Sequence, residues 1–221
     1  MLVSRRHGFI FIHVYKVAGT SIRRALEPYC DDAWKRRLAR MPVVGRVYRP
    51  RFPEPHLTAL QARELLGADL FGRCFKFAFV RNPWDWQVSL YHFMLKQPAH
   101  HQHALARSLA SFDDYLRWRV EEDLHLQESF VTDDSGALIV DYVGHMERLD
   151  DDFARICPRI GIPPITIPHV NRSRHADYRS YYSDASRDLV AQAFKADIER
   201  FGYTFDGLAE TGTPTPPGTE G

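Results

Sequence analysis

Two short runs of apolar residues mark the strands around which the chain is organised. Phe9 to Val14 is almost continuously apolar, and Cys74 to Val80 has the same character. Such runs are typical of strands buried on both faces of a parallel sheet. A turn and a predicted helix follow each run, over Ser21 to Leu26 and over Trp84 to Leu95. Two strand-turn-helix units with a long crossover between them predict an α/β fold, in which helices flank a central, mainly parallel sheet.

Helix-capping patterns and turn residues locate the remaining elements. Thr58 and Gln61 form a capping box before a helix that ends at Gly67, and Asn82-Pro83 is typical of a cap followed by a first-turn proline. Further elements are predicted as a strand over Ala137 to Val143 and helices over Ser111 to Val120, Glu147 to Ile156 and Ser183 to Phe201. We expect one domain over residues 1–207 and a disordered tail over 208–221, since TGTPTPPGTEG has nothing apolar to bury.

The turn after the first strand has the residue types that bind phosphate. Lys16 supplies a positive charge, Gly19 permits close approach of the backbone, and Thr20 and Ser21 add hydroxyl donors. Amides at a helix N-terminus point outward with positive partial charge. In this chain the amides in question belong to residues Ala18 to Ile22. The lysine precedes the Gly-Thr-Ser triplet, so the Walker pattern of nucleotide kinases is not met. An ordinary strand-to-helix connection with an exposed lysine is the alternative.

A second candidate anion site follows the second strand. Arg81 stands at the end of that strand, and Ser89 lies eight residues later in the helix that Asn82 caps. An arginine beside a helix N-terminus suits bidentate binding of phosphate, and parallel sheets bind ligands at this edge. The alternative is an ion pair between Arg81 and Asp85 that closes the start of the helix. A ligand with two separate phosphate groups would satisfy both candidate sites.

The two motifs together resemble those of sulfotransferases that use 3′-phosphoadenosine 5′-phosphosulfate (PAPS). Lysine, small residues and then Gly-Thr-Ser resemble the 5′-phosphosulfate loop, and FKFAFVRNPWDWQVSLY resembles the 3′-phosphate motif of Golgi-type and bacterial carbohydrate sulfotransferases. Later blocks such as DSGALIVDYVGHMERLDDDFARIC extend the resemblance over residues 8 to 205. It implies a P-loop-like three-layer fold and sulfuryl transfer from PAPS by in-line displacement, with 3′,5′-adenosine bisphosphate (PAP) as product.

The resemblance also implies roles for individual residues. The 5′-phosphosulfate is expected at Lys16, Ala18, Gly19, Thr20, Ser21 and Ile22, and the 3′-phosphate at Arg81 and Ser89. Arg172 and Ser173, in the stretch Asn171 to His175, either close over the nucleotide or belong to a surface loop. Trp86 stands where the family usually has arginine, which points to an altered surface salt bridge or a substrate contact. Neither motif offers a carboxylate for Mg²⁺, so no metal is expected.

The general base and the residues that bind the acceptor are expected in the crossover between the two motifs. His56 is the first candidate for the base because imidazole accepts a proton near neutral pH, and nearby anionic groups should raise its pKa. Glu54 is the alternative, and His13 comes third, with a buried core role favoured. The segment Trp34 to Pro53 has seven basic and no acidic residues, and its Arg46, Arg49 and Arg51 suit an acidic acceptor. A solvated positive face explains the same charges.

Composition bounds these hypotheses. The three cysteines, Cys30, Cys74 and Cys157, have no metal-ligand spacing, which together with the lack of a signal-peptide pattern predicts a reduced, cytoplasmic protein. No apolar run approaches the ~20 residues of a membrane helix. The net charge of +1 says nothing about partners; no nucleic-acid partner is expected, and the oligomeric state is left open. The preferred function is sulfation of a hydroxyl on a glycan or glycoconjugate. A small-molecule or nucleotide kinase and a non-catalytic module for anionic glycans are the alternatives.

Overall fold

The computed structural model describes residues 1–31, 56–167 and 176–209. These residues form two compact units. The first contains residues 1–31, 56–79 and 129–167, and the second contains residues 80–128 and 176–209. The elements in chain order are β1 (Leu2–Ser4), β2 (Phe9–Ile12), α1 (Gly19–Leu26), α2 (Ala59–Leu66), α3 (Ala68–Arg73), β3 (Phe75–Val80), α4 (Pro83–Lys96), α5 (His103–Ser108), α6 (Phe112–Glu121), β4 (Tyr142–His145), α7 (Leu149–Arg159), α8 (Asp184–Ala193), α9 (Lys195–Phe201), β5 (Tyr203–Thr204) and β6 (Gly207–Leu208). Short 3₁₀ turns lie at Glu27–Tyr29, Glu128–Phe130, Met146–Arg148 and Tyr178–Tyr181.

The first unit is built on a four-stranded sheet in the order β1-β2-β3-β4. Strands β2 and β3 are parallel, with Phe9 opposite Phe75 and Ile12 opposite Ala78, and β1 runs antiparallel to β2. Every residue of β2 is buried, as the continuous apolar run predicted. The parallel pairing places the carboxyl ends of β2 and β3 at the same edge of the sheet. The α/β fold with a mainly parallel sheet is therefore confirmed.

Aromatic and aliphatic side chains fill the core of the first unit. Phe11 and Phe77 pack across neighbouring strands with ring centroids 5.4 Å apart, and Phe79 packs on Phe153 of α7 at 6.4 Å. Gly144 in β4 lies directly against Phe79, since an added Cβ would come within 2.5 Å of that ring. Glycine is therefore needed at this position for the strand to approach the aromatic core.

The second unit is helical, with a two-stranded ribbon of β5 and β6. Helix α4 begins at Asn82, whose side chain accepts a hydrogen bond from the Trp84 amide at 3.0 Å, and Pro83 occupies the first turn as predicted. The chain folds back through α8 and α9, which meet at the fully buried Phe194. The single helix predicted from Ser183 is thus two helices. Leu208 pairs with Tyr203, and the rest of the predicted tail, from residue 210, lies outside the described residues.

Two further element boundaries differ from the prediction. Residues 137–141 do not form the predicted strand, because the chain folds back after Gly136 and pairs Leu138 with Thr132 in an isolated bridge. The Asp141 carboxylate then accepts the amide of Lys76, so β4 begins only at Tyr142. Helix α7 continues through Pro158, which lies in the last turn and removes only one helical hydrogen bond.

Candidate active site

The loop between β2 and α1 holds two non-glycine residues in the left-handed backbone region. Lys16 has φ +63° and Ala18 has φ +45°. This conformation costs roughly 1–2 kcal/mol for each L-residue, so it persists only where the surrounding structure enforces it. Lys16 and Ala18 are half-buried, whereas Val17 between them is 1 % exposed and anchors the loop in the core. Strain of this kind is concentrated at ligand-binding loops.

Helix α1 begins directly at this loop without a side-chain cap. Ala18 occupies the cap position, and its carbonyl accepts the amides of Ser21 at 2.9 Å and Ile22 at 3.1 Å. In the part of the chain that the structure describes, no backbone acceptor is found for the amides of Gly19 and Thr20. The first turn also contains no acidic residue. The helix start therefore offers two amides and an uncompensated positive dipole to an anion.

Gly19 is required by the ring of His13. A Cβ added at Gly19 would lie 1.5 Å from His13 Nε2, so any side chain there would need one of the two to move. His13 follows the last residue of β2 and is 8 % exposed, as the core role favoured from sequence predicted. Its Nδ1 is buried without a hydrogen-bond partner in the described residues. The glycine at position 19 indicated a close approach of the backbone to some other group. The sequence did not indicate that this group is the ring of His13.

His56 lies against His13 with the two ring centroids 4.5 Å apart. Its Nδ1 is 3.0 Å from the main-chain oxygen of His13. A carbonyl oxygen only accepts, so His56 Nδ1 carries the hydrogen and Nε2 keeps its lone pair. The residue as a whole is exposed, but its ring is partly screened from water by His13 and by Tyr15, which packs edge-on against it at 6.0 Å. The neutral imidazole is thus oriented with Nε2 as the basic atom.

Both histidines are held in the neutral form. Burial is the largest influence on His13 and, together with the charges of His56, the amino terminus and Arg23, lowers its pKa to about 2. Removal from water is also the largest influence on His56 and lowers its pKa below 6.5. The positive charges of the amino terminus and Arg23 lower this pKa as well, whereas the hydrogen bond to the His13 carbonyl raises it. The expectation that the pKa of His56 is raised is therefore wrong for this structure, since desolvation and positive charges dominate.

The other residues predicted for the first phosphate site have different surroundings. Thr20 is exposed, and Ser21 is 6 % exposed. Ile22 is fully buried and its amide is used within the first turn of α1, so its predicted contact with the nucleotide is corrected to a core position.

In the second unit, Arg81 occupies the position expected at the end of β3. It is 7 % exposed, and its Nε donates to Asp85 Oδ2 at 2.7 Å. The ion pair considered as the alternative is therefore present. Ser89 lies on α4 and is 4 % exposed. A phosphate at Arg81 would be read by a guanidinium that Asp85 already orients.

The main chain of Arg81 is held by a residue that the sequence did not indicate. Gln127 accepts the Arg81 amide at 2.9 Å and donates from Nε2 to the Arg81 carbonyl at 2.8 Å. It lies 46 residues away in the sequence, and no motif or periodicity surrounds it. Only the folded chain reveals the pairing.

Trp86 is corrected from a substrate contact to a core residue. It is fully buried, packs edge-on against Phe194 at 6.2 Å, and faces the Arg119 guanidinium at 5.9 Å. A large aromatic ring in the first turn of α4 is best accommodated in the helical core, where it also provides a face for a buried cation.

Several predicted residues lie outside the described part of the chain. These are Glu54, Arg46, Arg49 and Arg51 of the crossover, and Arg172 and Ser173 of the late loop. Within residues 1–31, 56–167 and 176–209, no group of His, Cys, Asp and Glu side chains has the arrangement of a metal site. In the same residues, no helix is long and apolar enough to cross a membrane. The three cysteines are buried thiols.

Comparison with known proteins assigns the class of protein that the fold and loops define. The model of the sulfotransferase family matches residues 1–204, and the chain belongs to this family. An uncharacterized protein of Archaeoglobus fulgidus is 26% identical over 125 residues, which are 56% of this chain and 98% of that protein.

A solved structure agrees with the fold. The crystal structure of mouse sulfotransferase SULT7A1 complexed with PAP aligns with a TM-score of 0.53 and 16% identity, covering 88% of this chain and 85% of that one. At that identity the likeness concerns the fold. The family assignment favours a sulfotransferase over the kinase and the non-catalytic glycan module considered from sequence.

Proposed function

We propose that this chain transfers the sulfuryl group of PAPS to a hydroxyl group of a carbohydrate or glycoconjugate. The observation that carries the proposal is the strained loop of Lys16 and Ala18. It ends at the start of α1, where the amides of Gly19 and Thr20 have no backbone acceptor among the described residues and the first turn has no acidic residue. A loop of this kind fits an anion, and the family is one of sulfotransferases. The family model covers parts of both compact units, which supports treating residues 1–207 as one catalytic domain.

PAPS, when bound, supplies a sulfuryl group on a phosphate leaving group. In this proposal Lys16 stabilises the negative charge that grows on the leaving oxygen, and the amides of Gly19 and Thr20 bind the 5′-phosphate, with the Thr20 and Ser21 hydroxyls nearby. Arg81 and Ser89 bind the 3′-phosphate, and Arg172 and Ser173 add contacts to the nucleotide. No metal is required, because the fixed positive groups take the role of a cation.

His56 is the proposed general base. Its Nδ1–H is held by the His13 carbonyl, so Nε2 is the atom that accepts the proton of the acceptor hydroxyl. The lowered pKa keeps this atom unprotonated at neutral pH. Glu54 is the competing residue.

The acceptor is proposed to be acidic. Seven basic residues without a counter-charge between Trp34 and Pro53 would concentrate an anionic substrate near the enzyme, and Arg46, Arg49 and Arg51 stand closest to His56 in the sequence. Such steering depends on ionic strength. We expect neutralisation of the three arginines to raise the KM for the acceptor and to flatten its dependence on salt.

The acceptor is tested by incubating the protein with PAPS and a panel of neutral and acidic oligosaccharides, lipids and small alcohols. We expect PAP to form with an acidic oligosaccharide, and transfer only to non-carbohydrate acceptors would contradict the carbohydrate proposal.

Lys16→Ala should lower kcat much more than it weakens the binding of PAP, because PAP lacks the transferred group and the charge that Lys16 stabilises appears only during transfer. Arg81→Ala should instead mainly raise the KM for PAPS. The same kinetic change in both variants would contradict the division of roles.

A further inference from the structure

A buried carboxylate in the second unit is connected to Arg81 by an unbroken series of hydrogen bonds. Asp197, in the first turn of α9, is fully buried. Its Oδ2 accepts the amide of Gln127 and its Oδ1 accepts the amide of Glu128, both at 2.8 Å. The Gln127 side chain then pairs with both main-chain groups of Arg81, at 2.9 and 2.8 Å. Three segments distant in sequence are thereby joined at the end of β3.

The donors and acceptors of each group define its part in this series. An ionised carboxylate is the stronger acceptor for two amides, and protonation weakens the bond to the oxygen that carries the hydrogen. The fully buried Gln127 uses both ends of its amide group on Arg81, so its side chain cannot rotate without breaking two bonds. The position of the Arg81 main chain therefore depends on where the ionised Asp197 holds residues 127 and 128.

We propose that Asp197 is a positioning residue, which acts through Gln127 to hold Arg81 where it reads the 3′-phosphate of PAPS. The inference rests on the proposed role of Arg81 in binding the 3′-phosphate and adds a residue that makes no contact with the nucleotide. Arg81 must meet a fixed phosphate with a planar guanidinium, so a displaced main chain weakens binding even when the side chain is intact.

The electrostatics of Asp197 indicate a function other than stability. Burial, the largest influence, and the nearby Glu128 carboxylate raise the pKa of Asp197 to about 6, against the lowering effect of its hydrogen bonds to the amides of Gln127 and Glu128. The folded chain thus holds a proton between about pH 4 and pH 6 that the unfolded chain has released. Ionisation of Asp197 therefore makes the folded state less stable as the pH rises through 6. A charge that costs stability and is nevertheless bonded on both oxygens fits a positioning role.

The charged groups around Asp197 have other partners. Glu128 accepts from Arg200 Nε at 2.7 Å, and Lys195 pairs with Glu199 on the surface of α9. His125, on the same loop, contacts Asp123 and Arg119. The Arg81 guanidinium, paired with Asp85, lies at the other end of the series.

The test is calorimetric titration of the full chain with PAP and with adenosine 5′-monophosphate, which lacks the 3′-phosphate. At pH 7.5 we expect Asp197→Asn and Gln127→Met each to weaken PAP about tenfold, with no larger loss in the double variant because both act on Arg81. Adenosine 5′-monophosphate should be affected less than about twofold. At pH 5.5 the difference in PAP affinity between the original chain and Asp197→Asn should shrink, since Asp197 is then largely protonated.

The controls separate this inference from the proposed function. Asp188→Asn, at an exposed carboxylate on α8, should leave both affinities unchanged. If Arg81→Ala does not weaken PAP, the role of Arg81 is wrong and the inference falls with it. If Arg81→Ala weakens PAP but neither Gln127→Met nor Asp197→Asn does, the positioning role alone is wrong. Equal losses for both nucleotides, or a difference that persists at pH 5.5, would indicate a merely structural role. Should Asp197→Asn fail to fold, Gln127→Met decides by the same comparison of nucleotides.

Discussion

His56 owes its chemistry to one main-chain atom. Its ring is oriented by the His13 carbonyl, which fixes the tautomer and leaves Nε2 as the basic atom. The sequence indicated a histidine of the crossover as the base, but the orienting carbonyl belongs to His13, which follows β2 and lies 43 positions earlier. The pKa of His56 is lowered, whereas the sequence led us to expect that it is raised, because desolvation of the ring is the largest influence.

We expect kcat to be constant from neutral to alkaline pH and to fall only on the acid side of pH 6.5. The reason is that the lowered pKa of His56 keeps the base unprotonated at neutral pH. His56→Ala should lower kcat by roughly 10²–10⁴-fold with little change in PAP affinity. Glu54→Ala is the matched control. A profile that still climbs above neutrality, or a larger loss in Glu54→Ala than in His56→Ala, would transfer the role of base to another group.

His13 should make the folded chain sensitive to acid. Its pKa is about 2 when folded and 6.5 in the unfolded chain, so below pH 6.5 only the unfolded chain takes up the proton. Its contribution to stability is complete above pH 6.5 and is lost as the pH falls, by about 1.4 kcal/mol for each pH unit. Thermal melting at pH 7.5 and 5.5 should show a smaller decrease in Tm for His13→Asn than for the original chain. An identical decrease in both would mean that His13 is not buried as a neutral ring.

At the level of elements, the loop before α1 depends on the contact between Gly19 and His13. We expect Gly19→Ala to lower Tm and to weaken PAP at least tenfold, because its Cβ would fall 1.5 Å from His13 Nε2 and the loop would have to shift. The double variant with His13→Ala removes the obstructing ring and should recover part of the PAP affinity relative to Gly19→Ala. Failure of the second substitution to restore any affinity would show that the clash is not the cause.

Local patterns in the sequence predicted most elements of the fold, and long-range contacts account for the differences. The Thr58 capping box, the Asn82 cap and the two buried strands depend on residues close together in the chain, and all are present. The strand expected over Ala137 to Val143 begins only at Tyr142, because Leu138 pairs back with Thr132 and Asp141 bonds to Lys76, 65 positions earlier. Strand β1 was not predicted, since Leu2–Ser4 is too short to show a pattern.

In the candidate site, too, residues with a local sequence signal were predicted and residues that depend on long-range contacts were not. The Lys16 loop and Arg81 follow strands whose carboxyl ends are predictable, so their residue types were sufficient to indicate anion binding. Trp86 was misjudged because its position in a motif says nothing about which face of α4 is covered, and that face packs on Phe194, 108 positions away in the numbering. Gln127 and Asp197 have no local signal at all. Their role arises only from the folded second unit.

At the scale of the whole molecule, the central proposal is that the two loops, around Lys16 and Arg81, bind the two phosphate groups of PAPS. The most direct test of it is the melting temperature of the full chain in EDTA with PAP, ATP or no nucleotide. We expect PAP to raise Tm without metal, because two phosphate sites bind it, and we expect ATP to raise Tm less, because it lacks the 3′-phosphate that Arg81 reads. Equal stabilisation by the two nucleotides, or an effect of PAP only when Mg²⁺ is supplied, would contradict the assignment of the two loops to PAPS.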